Sequence, residues 1–317
     1  MWPYIVIGVA SIIVSFIVSV TIVGFVNPFY STKKTRAKAG DSLPDEGEYA
    51  KYMATIRRWD EEAAVTPHED VSIKSFDGLT LRGKYYELSK DSPVEIMFHG
   101  YRGSAKRDMN GGIKRAFAVG HSVILVDQRG CGRSEGHVIS FGINESRDCL
   151  EWIKMANEKF GTKRKIILTG ISMGASTVLI TSGKDLPENV VGVLADCGFS
   201  SAKAIIYKIV SEMKISPKIF YPFVKLGGMV FGRFNVDETS AVEAVKNCKI
   251  PVLFVHGEKD EFVPVSMGEQ NFNACAAPKK KFVVIKGAGH GVAFPAAPEE
   301  YIAQVKEFFS YVHEDNV

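Results

Sequence analysis

A serine between two glycines follows a short apolar run in the middle of the chain. Residues Gly170–Gly174 read Gly-Ile-Ser-Met-Gly and come directly after Ile166–Thr169. A nucleophilic serine at a sharp strand-to-helix turn has a strained backbone and needs neighbours without bulk two places away. The N-terminus of the helix that follows also favours developing negative charge. The pattern predicts that Ser172 is a nucleophile, and the alternative is a plain glycine-rich turn.

A serine nucleophile needs a base and a carboxylate that orients this base. His290 stands between glycines just after the apolar run Phe282–Ile285, and Asp260 follows the run Val252–Val255. If both runs are parallel strands, their following loops share the edge where such sheets bind ligands. We therefore predict that His290 is the base and Asp260 the acid. The alternatives are a structural role for His290 and another carboxylate, such as Asp196, as the acid. Glu258 and Glu261 are interpreted as solvated neighbours of Asp260.

A third loop, His99–Ser104, follows the apolar run Val94–Phe98 and contains two glycines. Backbone N–H groups in such a loop can point at one spot, which is how an oxyanion is held during acyl transfer. We assign the oxyanion-hole donors to the backbone N–H groups of Tyr101 and Met173. His99 itself is predicted to brace its loop.

The elements that must position these residues are short apolar runs that alternate with helical stretches. Runs that are apolar throughout are typical of strands buried on both faces, and the alternation predicts an α/β fold with a mostly parallel sheet covered by helices on both faces. Asp77-Gly78 predicts a hairpin at the antiparallel edge of this sheet. The predicted strands are Val71–Phe76, Leu79–Leu88, Val94–Phe98, Val123–Val126, Ile166–Thr169, Val190–Ala195, Val252–Val255 and Phe282–Ile285. The predicted helices include Glu145–Phe160, Ala175–Ser182 and Glu299–Val312.

One interval of the predicted sheet is too long for a single connection. Ser200–Asn247 is rich in Ile, Phe, Tyr and Met and shows no obvious strand. We predict a helical cap insertion at about residues 199–247 in a domain that covers residues 65–317. The apolar stretch Ile215–Phe231 is expected either to touch a bilayer or to pack over the site.

The first thirty residues predict an N-terminal transmembrane helix. Tyr4–Val26 has no charged side chain, and about 20 helical residues cross the hydrocarbon core of a bilayer. A cleaved signal peptide is the alternative, but the start has no Lys or Arg, and the small-residue triplet at 37–39 lies past the apolar run. Aromatic residues at both ends suit the two membrane interfaces, namely Trp2, Tyr4, Phe29 and Tyr30.

Residues 31–64 are predicted to form a basic juxtamembrane linker and an amphipathic helix with Tyr52, Ile56 and Trp59 on one face. Lys33, Lys34, Arg36 and Lys38 follow the span, so the positive-inside rule predicts a single-pass protein of the cell membrane with its large domain on the cytoplasmic side. The alternative is that these charges contact headgroups on either face. A row of serines lies on one face of the span, namely Ser11, Ser15 and Ser19. Either this row is a packing stripe for a second helix, or its hydroxyls hydrogen-bond to carbonyls of their own helix.

Composition excludes several classes of function. The net charge is +3, and the predicted folded part of the chain has no basic block with interleaved aromatic residues, so we have no reason to expect a nucleic-acid partner. The five cysteines are scattered without zinc-ligand spacing, so we expect reduced core thiols and no metal site.

Five motifs occur in order over residues 71–313: His99-Gly100, the Asp-x-Arg-Gly-x-Gly-x-Ser loop at 127–134, Gly170–Gly174, the Gly-x-x-Asp loop that ends at Asp260, and Gly289-His290. In these the chain resembles the α/β-hydrolase superfamily, in particular a branch of membrane-anchored hydrolases that are serine-aminopeptidase-like or lysophospholipase-like. The resemblance implies a triad of Ser172, Asp260 and His290, an oxyanion hole at Tyr101 and Met173, and no cofactor.

The predicted function is a serine hydrolase that cleaves esters or thioesters of apolar acyl groups, such as acyl lipids, through an acyl-enzyme intermediate. A serine aminopeptidase is the second hypothesis, which needs a cap carboxylate such as Glu212 or Asp237 to bind a substrate ammonium. A non-catalytic membrane scaffold is the third, and its signature would be a broken triad. None of the three triad positions is broken.

Overall fold

An eight-stranded sheet forms the centre of the computed structural model, which describes residues 2–32 and 47–313. The strands are β1 (Glu69–Lys74), β2 (Thr80–Tyr86), β3 (Val94–Phe98), β4 (Ser122–Val126), β5 (Ile166–Ile171), β6 (Val190–Asp196), β7 (Val252–Gly257) and β8 (Lys280–Ile285). Their order is β1-β2-β4-β3-β5-β6-β7-β8. β2 is antiparallel to both of its neighbours, and all other pairs are parallel. The predicted mostly parallel sheet with an antiparallel edge is confirmed.

Helices pack against both faces of this sheet. The α-helices are α1 (Trp2–Phe29), α2 (Met53–Val65), α3 (Ala105–Ala118), α4 (Ile143–Phe160), α5 (Met173–Ser182), α6 (Ala202–Glu212), α7 (Pro217–Val230), α8 (Ala241–Ala244), α9 (Val265–Ala274), α10 (Ala293–Ala296) and α11 (Pro298–Phe308). Three short 3₁₀ helices cover Gly47–Tyr52, Val245–Asn247 and Ser310–Val312. Successive residues of β3 face opposite layers, since Ile96 packs in a cluster with Trp152 of α4 and Met97 in a cluster with Ile113 of α3. Every β3 residue is buried. The one charged residue of this strand, Glu95, pairs with the buried side chains of Arg115 and His121.

The long connection between β6 and β7 contains α6, α7 and α8. Ser201 caps the start of α6, because its hydroxyl accepts a hydrogen bond from the Ala204 N–H at 3.0 Å. Residues of α6 and α7, including Ile206 and Val224, belong to a hydrophobic cluster with Phe199 and Met173. These helices therefore pack directly over the segment that follows Ser172.

The apolar helix α1 is long and apolar enough to cross a membrane, with a mean hydropathy of 2.7. The hydroxyls of Ser11 and Ser19 donate to the carbonyls of Ile7 and Ser15, one turn earlier in the same helix. These bonds match the second interpretation of the serine row, in which the hydroxyls bond within their own helix. The basic residues Lys33, Lys34, Arg36 and Lys38, on which the predicted orientation depends, and the triplet at 37–39 lie outside the described residues.

The last third of α1 packs against α7. Gly24 lies against the backbone of α7, since a Cβ built on it would be 3.0 Å from the Val224 nitrogen. Gly227 of α7 lies equally close to α1, because its built Cβ would be 2.8 Å from the Thr21 carbonyl oxygen. Such reciprocal contacts of small residues let two helix backbones approach closely.

Phe29 is fully buried and makes edge contacts with Phe141 and Phe234. The prediction that Phe29 lies at a membrane interface is wrong, since this ring belongs to the protein core. The chain that leaves α1 is held by the same part of the domain: the Ser31 N–H donates to the His137 carbonyl, and the Ile139 N–H donates to the Phe29 carbonyl, both at 2.8 Å.

Candidate active site

Ser172 occupies the turn between β5 and α5 in a strained conformation, with φ at +54°. The two glycines of the motif are required by close approach. A Cβ on Gly170 would lie 2.2 Å from the Gly174 carbonyl oxygen, and a Cβ on Gly174 would lie 2.0 Å from the Phe98 carbonyl oxygen. The Ser172 N–H donates to the Asp196 carbonyl at 2.8 Å and holds the turn against β6.

The structure brings Ser172, His290 and Asp260 together, although they are far apart in sequence. The Nε2 atom of His290 lies 2.9 Å from the Ser172 hydroxyl oxygen. The Nδ1 atom of the same ring lies 2.7 Å from the Asp260 Oδ2 atom. Because a carboxylate only accepts, Nδ1–H donates to Asp260, and Nε2 is free to accept the Ser172 hydroxyl proton. This chain of hydrogen bonds has the polarity that activates a serine.

The Asp260 carboxylate is buried, and several donors keep it ionised. The backbone N–H groups of Phe262 and Val263 donate to its Oδ1 atom at 3.0 and 2.7 Å. The Nε2 atom of His256 lies 3.3 Å from Oδ2 and 2.8 Å from the Val263 carbonyl oxygen. Burial alone would raise the pKa of Asp260, but hydrogen bonds from His256 and His290 outweigh it and hold the pKa below its usual 3.8. Sequence reasoning missed His256, whose only signal is its place four residues before Asp260.

The neighbouring carboxylates and the alternative acid lie in other surroundings. Glu258 is exposed and accepts a hydrogen bond from the Gly287 N–H at 2.9 Å, and Glu261 is exposed. Asp196 is buried and accepts from the Tyr301 hydroxyl at 2.9 Å. Burial raises the pKa of Asp196 to about 6. Within residues 47–313, Asp260 is the carboxylate that hydrogen-bonds to the His290 ring.

The two predicted oxyanion-hole residues flank Ser172. Met173 is the first residue of α5, where backbone N–H groups have no acceptor within the helix. Gly100, just before Tyr101, is adjacent to the nucleophile, since its built Cβ would lie 3.6 Å from the Ser172 Cβ. His99 braces this loop: its Nδ1–H donates to the Gly100 carbonyl at 2.7 Å, and its Nε2 accepts the Gln128 N–H at 3.0 Å.

The loop that begins at Asp127 supports the site from behind. Asp127 accepts hydrogen bonds from the backbone N–H groups of Ala105 at 2.8 Å and Arg133 at 3.1 Å. Arg129 is buried and pairs with Asp148 at 2.6 Å and with Asp77 at 3.0 Å. Both side chains are therefore fully engaged in holding loops together.

A cavity of about 460 Å³ opens at Ser172 and has the size of small-molecule sites. Its walls are mostly apolar, and Arg102 is the one charged side chain among the described residues that line it. The lining residues are Val23, Asn27, Pro28, Tyr101, Arg102, Phe141, Ser172, Phe199, Ile205, Ile206, Ile209, Val210, Met213, Ile215, Phe220, Val224 and Phe262. Sequence reasoning missed the lining residues of α1, which are Val23, Asn27 and Pro28. An apolar residue such as Val23 gives the same sequence pattern whether it faces lipid or a cavity.

A second cavity, of about 490 Å³, is lined by polar residues such as Asp60, Lys106 and Arg133 and by none of the candidate triad.

Among the residues that the structure describes, one group of side chains has metal-ligand chemistry. Cys197, Asp260 and His290 each offer an atom within 4.8 Å of the others. However, burial, together with the charges of Asp196 and Asp260, raises the pKa of the Cys197 thiol well above its usual value. A protonated thiol is a poor ligand, because metals bind the thiolate. The group therefore fits a proton-transfer site better than a metal site.

Comparisons with known proteins place the chain among hydrolases. The prolyl oligopeptidase family matches residues 120–315, and the X-Pro dipeptidyl-peptidase family S15 matches residues 28–208. The chain is 25% identical over 244 residues to the protein YqkD of Bacillus subtilis, covering 76% of this chain and 79% of that protein. It is 27% identical over 209 residues to the lysophosphatidylserine lipase ABHD12 of Danio rerio, covering 62% of this chain and 51% of the relative.

Among solved structures, the Pyrococcus furiosus esterase Pf2001 superposes with a TM-score of 0.65 at 23% identity, covering 79% of this chain and 94% of the esterase. At this identity the likeness shows a shared fold.

Proposed function

The chain belongs to the α/β-hydrolase superfamily and to its prolyl oligopeptidase family, and from this premise we propose that it is a serine hydrolase whose nucleophile is Ser172. The preferred substrates are carboxylic esters or thioesters of apolar acyl groups. The observation that carries the proposal is the chain of hydrogen bonds from Ser172 through His290 to Asp260 at the wall of an apolar cavity.

The reaction is a two-step acyl transfer. The Ser172 oxygen attacks the carbonyl carbon while His290 Nε2 takes the hydroxyl proton, and Asp260 stabilises the imidazolium. The backbone N–H groups of Tyr101 and Met173 hold the oxyanion. When the intermediate collapses, the bond to the alcohol or thiol breaks and His290 gives this leaving group its proton. Water then attacks the acyl-enzyme by the same route, which releases the acid and restores the serine.

The chemistry of the cavity supports an apolar acyl group over an N-terminal amine. A substrate ammonium needs a carboxylate, but Glu212 and Asp237 do not line the cavity. Glu212 pairs with Lys208, and Asp237 pairs with Lys225 at 2.8 Å. The charged lining residue, Arg102, would repel an ammonium. A serine peptidase that acts on short peptides is nevertheless the second candidate, because both matching families are peptidase families.

The proposed location is a membrane, with α1 as a single-pass anchor and the hydrolase domain on the cytoplasmic side. Length and composition of α1 support the anchor. The side depends on the basic residues after α1, as the positive-inside rule requires.

The test uses the full-length protein and the variant Ser172→Ala. The wild type is expected to hydrolyse p-nitrophenyl acetate faster than alanine p-nitroanilide and to be labelled by a fluorophosphonate, and the variant should lose both hydrolysis and labelling. Ser182→Ala, at the far end of the same helix, is the matched control and should retain both. Labelling that survives in the Ser172→Ala variant contradicts the proposed nucleophile, and faster cleavage of the anilide favours the peptidase. A folded wild type without either activity favours the scaffold.

A further inference from the structure

The cavity at Ser172 is shared between the hydrolase domain and the apolar helix α1. We infer that α1 is part of the substrate-binding site, and that the substrate is an acyl lipid of the bilayer whose chain lies between α1 and the helices α6 and α7. This inference rests on the proposed function and assigns its substrate class.

The first observation is the composition of the cavity wall. Val23, Asn27 and Pro28 of α1 line one side, and Ile209 of α6 and Val224 of α7 line another. The close contact of Gly24 with α7 closes the wall between the two helices, since no side chain separates their backbones there. A chain that begins after α1 would therefore lack one side of the cavity.

The second observation links α1 to the loop of the predicted oxyanion hole. The Tyr101 hydroxyl donates to the Pro28 carbonyl at 2.7 Å. The Arg102 guanidinium donates to the carbonyls of Asn27 at 2.8 Å and Tyr30 at 3.0 Å. Carbonyls at the C-terminus of a helix lack partners within the helix, so these donors cap α1 and tie it to the loop. The position of Tyr101 thus depends on α1.

The third observation identifies the bilayer as the source of the substrate. Large apolar side chains are exposed on α7 and on the segments at its two ends. They include Met213, Ile215, Ile219, Met229, Val230 and Phe231, with exposed fractions between 41% and 70%. Contiguous exposed apolar surface marks a membrane or protein interface. This surface meets α1 at two points, since Phe231 packs on Phe25 with ring centroids 5.6 Å apart, and Met213 and Ile215 line the same cavity as Val23. Because α1 is long and apolar enough to span a membrane, lipid is the partner that can cover both.

The experiment narrows the cavity from the α1 side in the full-length protein. Val23→Trp places an indole in the cavity, whereas Ile22→Trp, at a similarly exposed neighbour that does not line it, is the matched control. The measured quantity is kcat/KM for p-nitrophenyl palmitate divided by that for p-nitrophenyl acetate, in phosphatidylcholine nanodiscs. We expect this ratio to fall at least tenfold for Val23→Trp and to stay within twofold of wild type for Ile22→Trp.

A second variant separates a blocked cavity from a folding defect. Val23→Cys is folded first and then treated with octyl methanethiosulfonate, with Ile22→Cys as its control. The cysteine thiolate displaces methanesulfinate from the reagent and becomes an octyl mixed disulfide. The octyl group should lower the palmitate-to-acetate ratio of Val23→Cys alone, and dithiothreitol should restore it. Wild type treated in the same way controls for the five native cysteines, which are all buried.

The outcomes distinguish this inference from the function on which it rests. If wild type hydrolyses both esters but the Val23 variants behave like the Ile22 variants, α1 is not part of the substrate site, and the proposed function stands. If wild type shows neither hydrolysis nor fluorophosphonate labelling, the proposed function fails and the inference fails with it.

Discussion

The change Asp260→Asn tests the proposed role of the hydrogen-bond chain, because it keeps the shape of the side chain, removes its negative charge and replaces one acceptor oxygen by an NH₂ donor. The Asp260 Oδ1 atom accepts two backbone N–H groups, and Oδ2 faces Nδ1 of His290. An asparagine can place its oxygen at only one of these two positions. The result therefore depends on which orientation the amide adopts.

The structure fixes that orientation. Turning the NH₂ group toward the Phe262 and Val263 N–H groups leaves two buried donors without acceptors, at about 1–3 kcal/mol each. The opposite orientation brings NH₂ near His256 Nε2, but this atom already donates to the Val263 carbonyl at 2.8 Å, so the opposing cost is smaller. A net preference of roughly 2 kcal/mol would place the NH₂ group toward His290 in a ratio of about thirty to one.

In that orientation the asparagine donates to Nδ1, so the ring proton moves to Nε2. An Nε2 that carries a proton cannot accept the proton of Ser172. We expect kcat to fall by about 10⁴-fold, the effect of the same change in the serine-protease triad.

The assay compares p-nitrophenyl acetate hydrolysis by the full-length variant with that by Glu261→Gln, which removes an exposed carboxylate next to Asp260. The control should stay within twofold of wild type, and far-ultraviolet circular dichroism checks that both variants fold. If Asp260→Asn keeps more than a tenth of wild-type kcat, another carboxylate orients His290 and the assignment of Asp260 is wrong.

Two further predictions concern stability. The pKa of Asp196 is about 6 in the folded protein, whereas its ordinary value is 3.8. Between these two pH values the folded state holds a proton that the unfolded state has lost. The stability contributed by this group therefore falls as the pH rises from 4 to 6. The free energy of unfolding of Asp196→Asn, measured with denaturant, should therefore rise by up to roughly 3 kcal/mol relative to that of wild type between pH 4 and pH 7. If the difference between the two unfolding free energies is the same at both pH values, the burial argument is wrong. Gly174→Ala should lower the free energy of unfolding by at least ~3 kcal/mol, because its Cβ would overlap the Phe98 carbonyl. The control Gly8→Ala, whose Cβ has nothing within 4 Å, should not destabilise the protein. Equal stabilities for the two variants would show that the turn can relax.

Local sequence patterns predicted the parts of the fold that short-range physics controls. The bounds predicted for β3 match Val94–Phe98 in the structure, because a strand buried on both faces is mostly apolar. The exception, Glu95, is buried in an ion pair with Arg115. The glycines around Ser172 predicted the turn, because the backbone approach at that point leaves no room for a Cβ.

Tertiary contacts decided what sequence reasoning did not find. The alternation of strands with helical stretches predicted no bounds for the helix α3, which has Gly111 and Gly112 in its middle, where glycine disfavours a helix. In the structure a Cβ on Gly111 would lie 2.6 Å from the Trp59 ring, and one on Gly112 would lie 2.8 Å from the Met97 sulfur. These glycines thus allow close packing of α2 and the sheet against α3. Phe29 was placed at a membrane interface for a related reason, since apolar composition does not tell lipid from core.

The attachment of the chain just after α1 has a kinetic consequence. Phe29 and Ser31 are hydrogen-bonded to residues 137–139 of the domain, and the Ser31 hydroxyl donates to the Gly130 carbonyl at 2.7 Å. If α1 spans a bilayer as proposed, a domain joined in this way would stand at a set height over one leaflet. With α1 in a bilayer, such an enzyme would meet its substrate by lateral diffusion in two dimensions, and its rate would follow the mole fraction of substrate among the surrounding lipids, largely independent of how many vesicles share the solution.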